Sequence, residues 1–333
     1  MTACAVVGAG AWGTVLADLL AGNGHAVQLW AREADVVESI LTRHENVRFL
    51  AGFALSSALA ATTILSDAVR GAELVVFAAP SAHLREIAER AAPHLRPNAT
   101  LAVATKGIEE RSLAPMTQVA QESTDVTHPV VVLSGPSFAA EVAARQPTAV
   151  VAASSAPGAA QLVQRALASQ TFRVYTHADV MGVALGGSLK NVIAVATGVS
   201  DGLGLGANSR AALITRGLAE ITRLGVALGA RAATFAGLAG LGDLVLTCTG
   251  ALSRNRALGE AVGRGLTLDE AIAAGGETVA EGVVTARSAQ SLGDREGIEM
   301  PIVRAVNRVL FDGRPARRAI SDLMERELRA EPD

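Results

Sequence analysis

The sequence predicts an α/β N-terminal domain built on a doubly wound, mainly parallel sheet, residues 1–180, followed by an all-α C-terminal domain, residues 181–333. Three observations carry this. Short apolar runs alternate with helical spacers through the first half, the pattern of a parallel sheet covered on both faces. The first run leads straight into a glycine pattern, Gly8-Ala9-Gly10-Ala11-Trp12-Gly13. Beyond about residue 180 the strand pattern stops and long helical stretches take over, with no Pro/Ser linker between.

Ala3–Val7 reads as the first strand, residues 14–21 as a helix, Gly22-Asn23-Gly24-His25 as a turn and Ala26–Trp30 as the second strand. A G-x-G-x-x-G is cheap in a chain with 33 glycines. Set in strand, loop, helix, strand, it reads as a dinucleotide site and the domain as Rossmann-like. Gly8 permits the tight turn, Gly10 lets the backbone approach a pyrophosphate, and Gly13 lets helix and strand pack closely, with the helix N-terminus facing the anion. After the second strand an NAD-only site carries an acid for the ribose hydroxyl. Here the chain reads Trp30-Ala31-Arg32-Glu33. Arg32 suits a 2′-phosphate and Glu33 keeps the plain ribose open, so NADP or NAD fits. An exposed arginine at a helix start is the competing reading.

Further strands are expected at residues 74–79, 101–105, 130–133 and 149–152. In doubly wound sheets ligands sit beyond the carboxyl ends of the strands. Three exits carry distinctive residues: Ala79-Pro80-Ser81, Thr105-Lys106-Gly107 and Ser134-Gly135-Pro136-Ser137-Phe138. Lys106 reads equally as an anion or hydroxyl ligand and as a solvated loop lysine.

Helices are expected at 183–199, 208–228, 253–263, 267–274 and 281–292. The first is small and apolar, interrupted only by Ser188, Lys190 and Asn191 before Thr197. A lysine is almost never buried without a partner, and desolvation lowers its pKa toward the range useful for proton transfer. Lys190 is thus the leading functional candidate; a lysine snorkelling from a helix edge is the alternative. The run falls short of about 20 apolar residues and carries Lys190 and Asn191 near its middle, so it does not read as a membrane span. Downstream, Asp243 is the one acid in the apolar run Gly240-Leu241-Gly242-Asp243-Leu244-Val245-Leu246. It reads as a partner for Lys190 or as a helix cap. Ser253-Arg254-Asn255 opens a helix with a good N-cap and an arginine, a phosphate site or an ordinary capped helix. Glu277 to Gly282 is a turn with two acids.

The net charge is −3, without a long basic run, which argues against nucleic acid or an anionic membrane as the main partner. Two distant cysteines, Cys4 and Cys248, make no disulfide framework and suggest a reducing compartment. The six histidines show no metal-ligand spacing, so no metal is expected. The N-terminus has no charged leader ahead of an apolar segment, so a cytoplasmic location is the default expectation.

Taken together, the glycine loop, Ala104-Thr105-Lys106-Gly107, Ser134-Gly135-Pro136-Ser137-Phe138-Ala139, Leu185-Gly186-Gly187-Ser188-Leu189-Lys190-Asn191-Val192, Ser200-Asp201-Gly202, Gly240-Leu241-Gly242-Asp243-Leu244 and Ser253-Arg254-Asn255 resemble the bacterial NAD(P)-dependent glycerol-3-phosphate dehydrogenases, over residues 6 to about 310. The resemblance implies reduction of dihydroxyacetone phosphate to sn-glycerol 3-phosphate for phospholipid synthesis. It implies Lys190 as general acid/base, supported by Asp243. The small phosphorylated substrate would be bound by Lys106, Gly135, Ser137, Asp243, Ser253, Arg254 and Asn255, with Asn191 beside Lys190. The nucleotide would be contacted by Ala11, Trp12, Arg32, Lys106, Ala139, Arg254, Val279 and Glu281. A homodimer is also implied. Residues 46–55, NVRFLAGFAL, depart from the family by lacking the proline of its Leu-Pro-Gly stretch. Rival expectations are a 2-hydroxyacid or 6-phosphogluconate type dehydrogenase and a non-catalytic dinucleotide sensor. The combination of Asp243 with Ser253-Arg254-Asn255 favours the small phosphorylated substrate.

Overall fold

The computed structural model describes residues 1–275 and 280–327. Eight strands form one sheet: β1 (Ala3–Val7), β2 (Ala26–Trp30), β3 (Ala60–Thr62), β4 (Leu74–Phe77), β5 (Thr100–Val103), β6 (Val130–Ser134), β7 (Thr148–Ala153) and β8 (Phe172–His177). Their spatial order is β3-β2-β1-β4-β5-β6-β7-β8. Every pairing is parallel except β6 with β7, where Val132 lies opposite Ala153. The order reverses at β1, so the glycine loop leaves β1 where β2 and β4 diverge to either side, the usual place for a ligand crevice.

Two strands escaped the sequence reading. β3 is only Ala-Ala-Thr, too short and too small to show a period. β8 does alternate, with Phe172 and Val174 buried and Arg173 and Tyr175 exposed. That pattern was available in the sequence but was masked by the polar flanks. The sheet is buried on both faces, Val6, Leu16, Leu20 and Leu29 on one side and Val7, Trp30, Phe77 and Leu101 on the other.

The departure at residues 46–55 does not leave that loop undefined. Asn46 is fully buried and donates through Nδ2 to Ala9 O (2.8 Å) and Thr14 Oγ1 (2.8 Å), while its Oδ1 accepts from Phe49 N (3.1 Å). Leu55 N donates to His44 O (2.7 Å) and Ser56 N to Asp18 Oδ1 (2.7 Å). These bonds close the loop onto the glycine turn without a proline.

The second half is helical. Its centre is the helix Val180–Gly202, longer than the expected 183–199 because Asp179 caps it three residues earlier. This helix and the stretch Ala232–Thr249 are long and apolar enough to cross a membrane by length and composition alone, which corrects the expectation that the first was too short. The first is instead wrapped on nearly every side by protein: Leu185, Leu189, Val192 and Ile193 pack with Ile221, Leu224, Phe235 and Leu244. Full burial of each such side chain is worth about 1.5–3 kcal/mol. Against the helix Arg254–Gly263 it packs backbone to backbone. A Cβ on Gly198 would lie 2.0 Å from Arg256 O, and one on Gly259 would lie 2.1 Å from Val195 O. Only glycine allows this approach, and the approach carries Ser253-Arg254-Asn255 to the flank of Asn191. Among the described residues, the α-helices Ala232–Phe235, Asp243–Thr249, Pro301–Phe311 and Ala316–Met324 lie beyond those expected, and the last two complete the layer.

Candidate active site

Lys190 lies mid-helix and is 7 % exposed, so it does not snorkel. Its Nζ donates to Asp243 Oδ1 and to Thr247 Oγ1 (2.8 Å). Asp243 is fully buried at the start of the helix Asp243–Thr249 and is not an N-cap, that place being taken by Gly242. Its second oxygen accepts from Lys106 Nζ (2.6 Å), which also donates to Gly135 O (3.4 Å). One carboxylate therefore bridges two ammonium groups that are 84 residues apart in the chain, 190 less 106. Burial pushes the Lys190 ammonium down to about 7; Asp243 opposes that shift and Lys106 adds to it. Near neutral pH both protonation states are populated.

Local packing aims these groups. Lys106 follows β5, and the next residue, Gly107, exchanges hydrogen bonds with Ser188 Oγ: N to Oγ at 2.9 Å and Oγ to O at 3.1 Å. A Cβ on Gly187 would lie 2.2 Å from Ser134 Oγ, so the central helix presses directly on the exit of β6. Gly135 follows with φ +136°, a conformation side chains rarely adopt, and Ser137 Oγ donates back to Gly135 O (2.9 Å). The sheet exits and the lysine helix thus form one surface around Asp243.

Beside it, Asn255 Nδ2 donates to Asn191 Oδ1 (3.0 Å) and Asn255 Oδ1 accepts from Gly282 N (2.8 Å). The pair is buried, and it couples the helix Arg254–Gly263 to the lysine helix. Ser253 Oγ accepts from Arg256 N (3.2 Å), the N-cap expected for that helix, and Arg254 projects exposed from its first turn. Glu281 receives Ser81 Oγ (2.7 Å) and Ser81 N (3.3 Å). Burial raises its carboxyl pKa, against those bonds and the charge of Arg254. Val279 lies outside the described residues.

At the glycine turn a Cβ on Gly8 would lie 2.8 Å from the Ala78 carbonyl carbon, and one on Gly13 1.9 Å from Gly8 O, while Gly10 faces open space. Gly10 caps the helix Ala11–Gly22 with no side-chain hydrogen bond, leaving its first amides available to an anion. That helix begins at Ala11, inside the motif and three residues before the expected 14–21. Ala11 and Trp12 are half-buried beside this opening, and Trp12 packs near the Phe172 ring. Ala139 opens the short helix Ala139–Ala143 after the β6 exit. Arg32 is well exposed and, among the described residues, pairs with Glu33 (2.8 Å). This cradle suits a dinucleotide pyrophosphate. Among the described residues no cluster of three His, Cys, Asp or Glu is placed to hold a metal ion.

Comparison with known proteins decides the family. The family model described as the NAD-dependent glycerol-3-phosphate dehydrogenase N-terminus matches residues 3–160, and that of the C-terminus matches residues 179–321. A glycerol-3-phosphate dehydrogenase [NAD(P)+] from Geobacter sulfurreducens is 54% identical over 330 residues, 98% of each chain. The chain belongs to the NAD-dependent glycerol-3-phosphate dehydrogenase family. It is an oxidoreductase of that family, with NAD or NADP as its cofactor. The crystal structure of the glycerol-3-phosphate dehydrogenase from Coxiella burnetii superimposes with a TM-score of 0.93 at 40% identity, covering 98% of this chain and 99% of that one. The Saccharomyces cerevisiae enzyme does so with 0.84 at 27% identity, over 98% and 99%. A D-mandelate dehydrogenase, at 12% identity and a TM-score of 0.60, shares the fold alone.

Several residues of this family site were not read from the sequence. Thr247 accepts from Lys190 and sits one helical turn after Asp243; an i,i+4 search from Asp243 would have found it. Ser81 and Ser188 stood out only as parts of motifs and Asn46 only as the start of the departing loop; their partners, 200, 81 and 37 residues away, left no signal in the sequence.

Proposed function

We propose that the chain interconverts dihydroxyacetone phosphate and sn-glycerol 3-phosphate with NAD(P)H, with Lys190 as the general acid/base. The observation that carries the reading is a buried lysine, pushed down to about 7, held by a carboxylate that a second lysine also grips. The cofactor, when bound, supplies or accepts the hydride at the carbonyl carbon. In reduction the Lys190 ammonium donates a hydrogen bond to the carbonyl oxygen and passes its proton there as negative charge develops, leaving a neutral amine. In oxidation the amine accepts the hydroxyl proton. Asp243 orients Lys190 and Thr247 fixes its remaining direction. Lys106, beside Gly135 and Ser137, adds positive charge near the same oxygen.

The substrate phosphate sits at the start of the helix Arg254–Gly263, on Arg254 and the free amides behind the Ser253 cap, with Asn255 and Asn191 forming the adjacent wall. Binding energy at the phosphate then positions the carbon for transfer. Gly8, Gly10, Ala11, Trp12 and Gly13 cradle the pyrophosphate, Arg32 lies toward the ribose, and Lys106, Ala139, Arg254, Val279 and Glu281 complete the nucleotide side. Residues 1–180 act as the dinucleotide domain and 181–333 as the substrate and catalytic domain; the passage from β8 into the lysine helix supports that division. The product supplies the glycerol backbone for phospholipid synthesis. The two buried free cysteines fit a reducing cytoplasm, and a homodimer completes the proposal. The test is steady-state oxidation of NADPH and NADH with dihydroxyacetone phosphate; no turnover with either cofactor in a folded, NADPH-binding protein refutes the reading.

A further inference from the structure

We infer that Asp179 is a positioning residue that fixes how the lysine helix meets the segment bearing Asp243, and so sets the Lys190–Asp243 contact. Asp179 is buried at the N-cap of Val180–Gly202. One oxygen, Oδ1, accepts from Gly182 N at 2.9 Å, as an ordinary cap does. The other, Oδ2, is spent on a different element. It accepts from Arg231 N (2.8 Å) and Thr234 Oγ1 (2.6 Å), the cap and first turn of the short helix Ala232–Phe235. A helix cap needs only the first arm. The second ties the start of the lysine helix to the element that leads into Asp243.

The path from that clamp to Asp243 has little slack. Ala232–Phe235 passes into a single π-helical turn, Leu238–Gly242, which runs directly into Asp243–Thr249. A Cβ on Gly240 would lie 2.1 Å from Phe235 O, and one on Gly186 would lie 2.5 Å from Ala239 O, so turn and lysine helix touch backbone to backbone. Gly182 is hemmed in at the clamp itself, where a Cβ would fall 2.4 Å from Asp179 Oδ2. Lys190 lies 11 residues beyond Asp179, about three helical turns along nearly the same face. A slide or rotation released at the clamp is therefore transmitted to Nζ. Burial alone would raise the Asp179 carboxyl pKa; the bonds from Thr234, Gly182 and Arg231 outweigh it and hold the carboxyl below its usual range, so all three donors face a carboxylate.

The inference rests on Lys190 being the acid/base, and the test separates the two. Asp179→Ser keeps a good N-cap for Gly182 N but is too short to reach Arg231 N and Thr234. Thr234→Val removes only the hydroxyl donor. For Asp179→Ser we expect parental NADPH affinity, KM for dihydroxyacetone phosphate within about twofold, and kcat lower by about ten- to a hundredfold, the scale of sub-ångström to 1 Å misplacement. A weaker Asp243 contact also releases the Lys190 proton more readily, so the loss of reductive activity on raising pH should begin at lower pH than in the parent. Thr234→Val should move kcat and the pH profile the same way by less, and the double variant should be no worse than Asp179→Ser, since both act through one clamp. Parental kcat and pH profile in Asp179→Ser, whatever its melting temperature, would reduce Asp179 to a cap and overturn the inference. If Asp179→Ser fails to fold, Thr234→Val decides, and an unchanged kcat and pH profile there overturns it. Near-parental turnover in Lys190→Met is a different outcome and would sink the acid/base reading itself.

Discussion

Lys190→Met separates the chemistry of this lysine from its packing, and its effect on stability can be worked from its surroundings. Methionine keeps an unbranched apolar stem and removes the charge and the proton. At 1.36 kcal/mol per pKa unit, the drop from 10.5 to about 7 corresponds to on the order of 5 kcal/mol of destabilisation of the charged form. Against its removal stands the loss of a partner for Asp243, which costs about 3–5 kcal/mol when the remaining charge is left alone. Here Asp243 keeps Lys106 at 2.6 Å, so that cost is reduced and the variant should be at least as stable as the parent at pH 7. The pH dependence is the sharper readout. A lysine whose folded pKa lies below its unfolded value holds fewer protons when native, so its contribution to stability is fully present above about 10.5 and is lost as pH falls through 7. The parent should therefore gain stability over the variant between pH 7 and 10.5, by on the order of 5 kcal/mol, measured by urea denaturation at several pH values. Turnover should fall by about 10²–10⁴-fold with NADPH binding by fluorescence retained, because the proton moves only in the transition state. A pH-independent stability difference would show that Lys190 titrates like a solvated lysine, and near-parental turnover would refute the mechanism.

Arg254→Ala should raise KM for dihydroxyacetone phosphate by roughly tenfold or more, the value of a charge-assisted hydrogen bond of about 1.5–3 kcal/mol; steady-state kinetics showing an unchanged KM would place the phosphate elsewhere. Arg32→Ala, at an exposed side chain paired with the neighbouring Glu33, should raise KM for NADPH more than for NADH while leaving the melting temperature unaltered, and an unchanged cofactor ratio removes Arg32 from the 2′-phosphate site. Asn46→Ala removes two donated bonds at 2.8 Å behind the glycine turn, so KM for NADPH should rise several-fold while KM for dihydroxyacetone phosphate stays constant. Equal shifts in both constants would mean that the loop supports the whole protein rather than the cofactor turn.

The sequence alone determined the order of the parts. Gly8, Gly10 and Gly13, running from the end of β1 into its helix, pointed to a turn suited to a nucleotide, because a tight turn, an open approach and close helix packing each demand glycine at a defined spacing. The lone lysine in an apolar helix announced Lys190, because so costly a residue is rarely placed there without a use. β3 went unread because three small residues carry no period of their own, whereas β8 and the helices Pro301–Phe311 and Ala316–Met324 do carry a period that was not taken from the sequence. What only the tertiary structure decided is which charge meets which. Lys106 and Asp243 each had a bland alternative in sequence, and both alternatives fell once one buried carboxylate was found between Lys106 and Lys190. Likewise the Asp179 clamp, the Asn191–Asn255 pair and the Ser81–Glu281 contact join residues from 52 to 200 positions apart. Hydrogen bonds of that range leave no local period in the chain; they arise because glycine-lined backbones pack closely enough to bury polar groups, and a buried polar group must find a partner wherever the fold puts one.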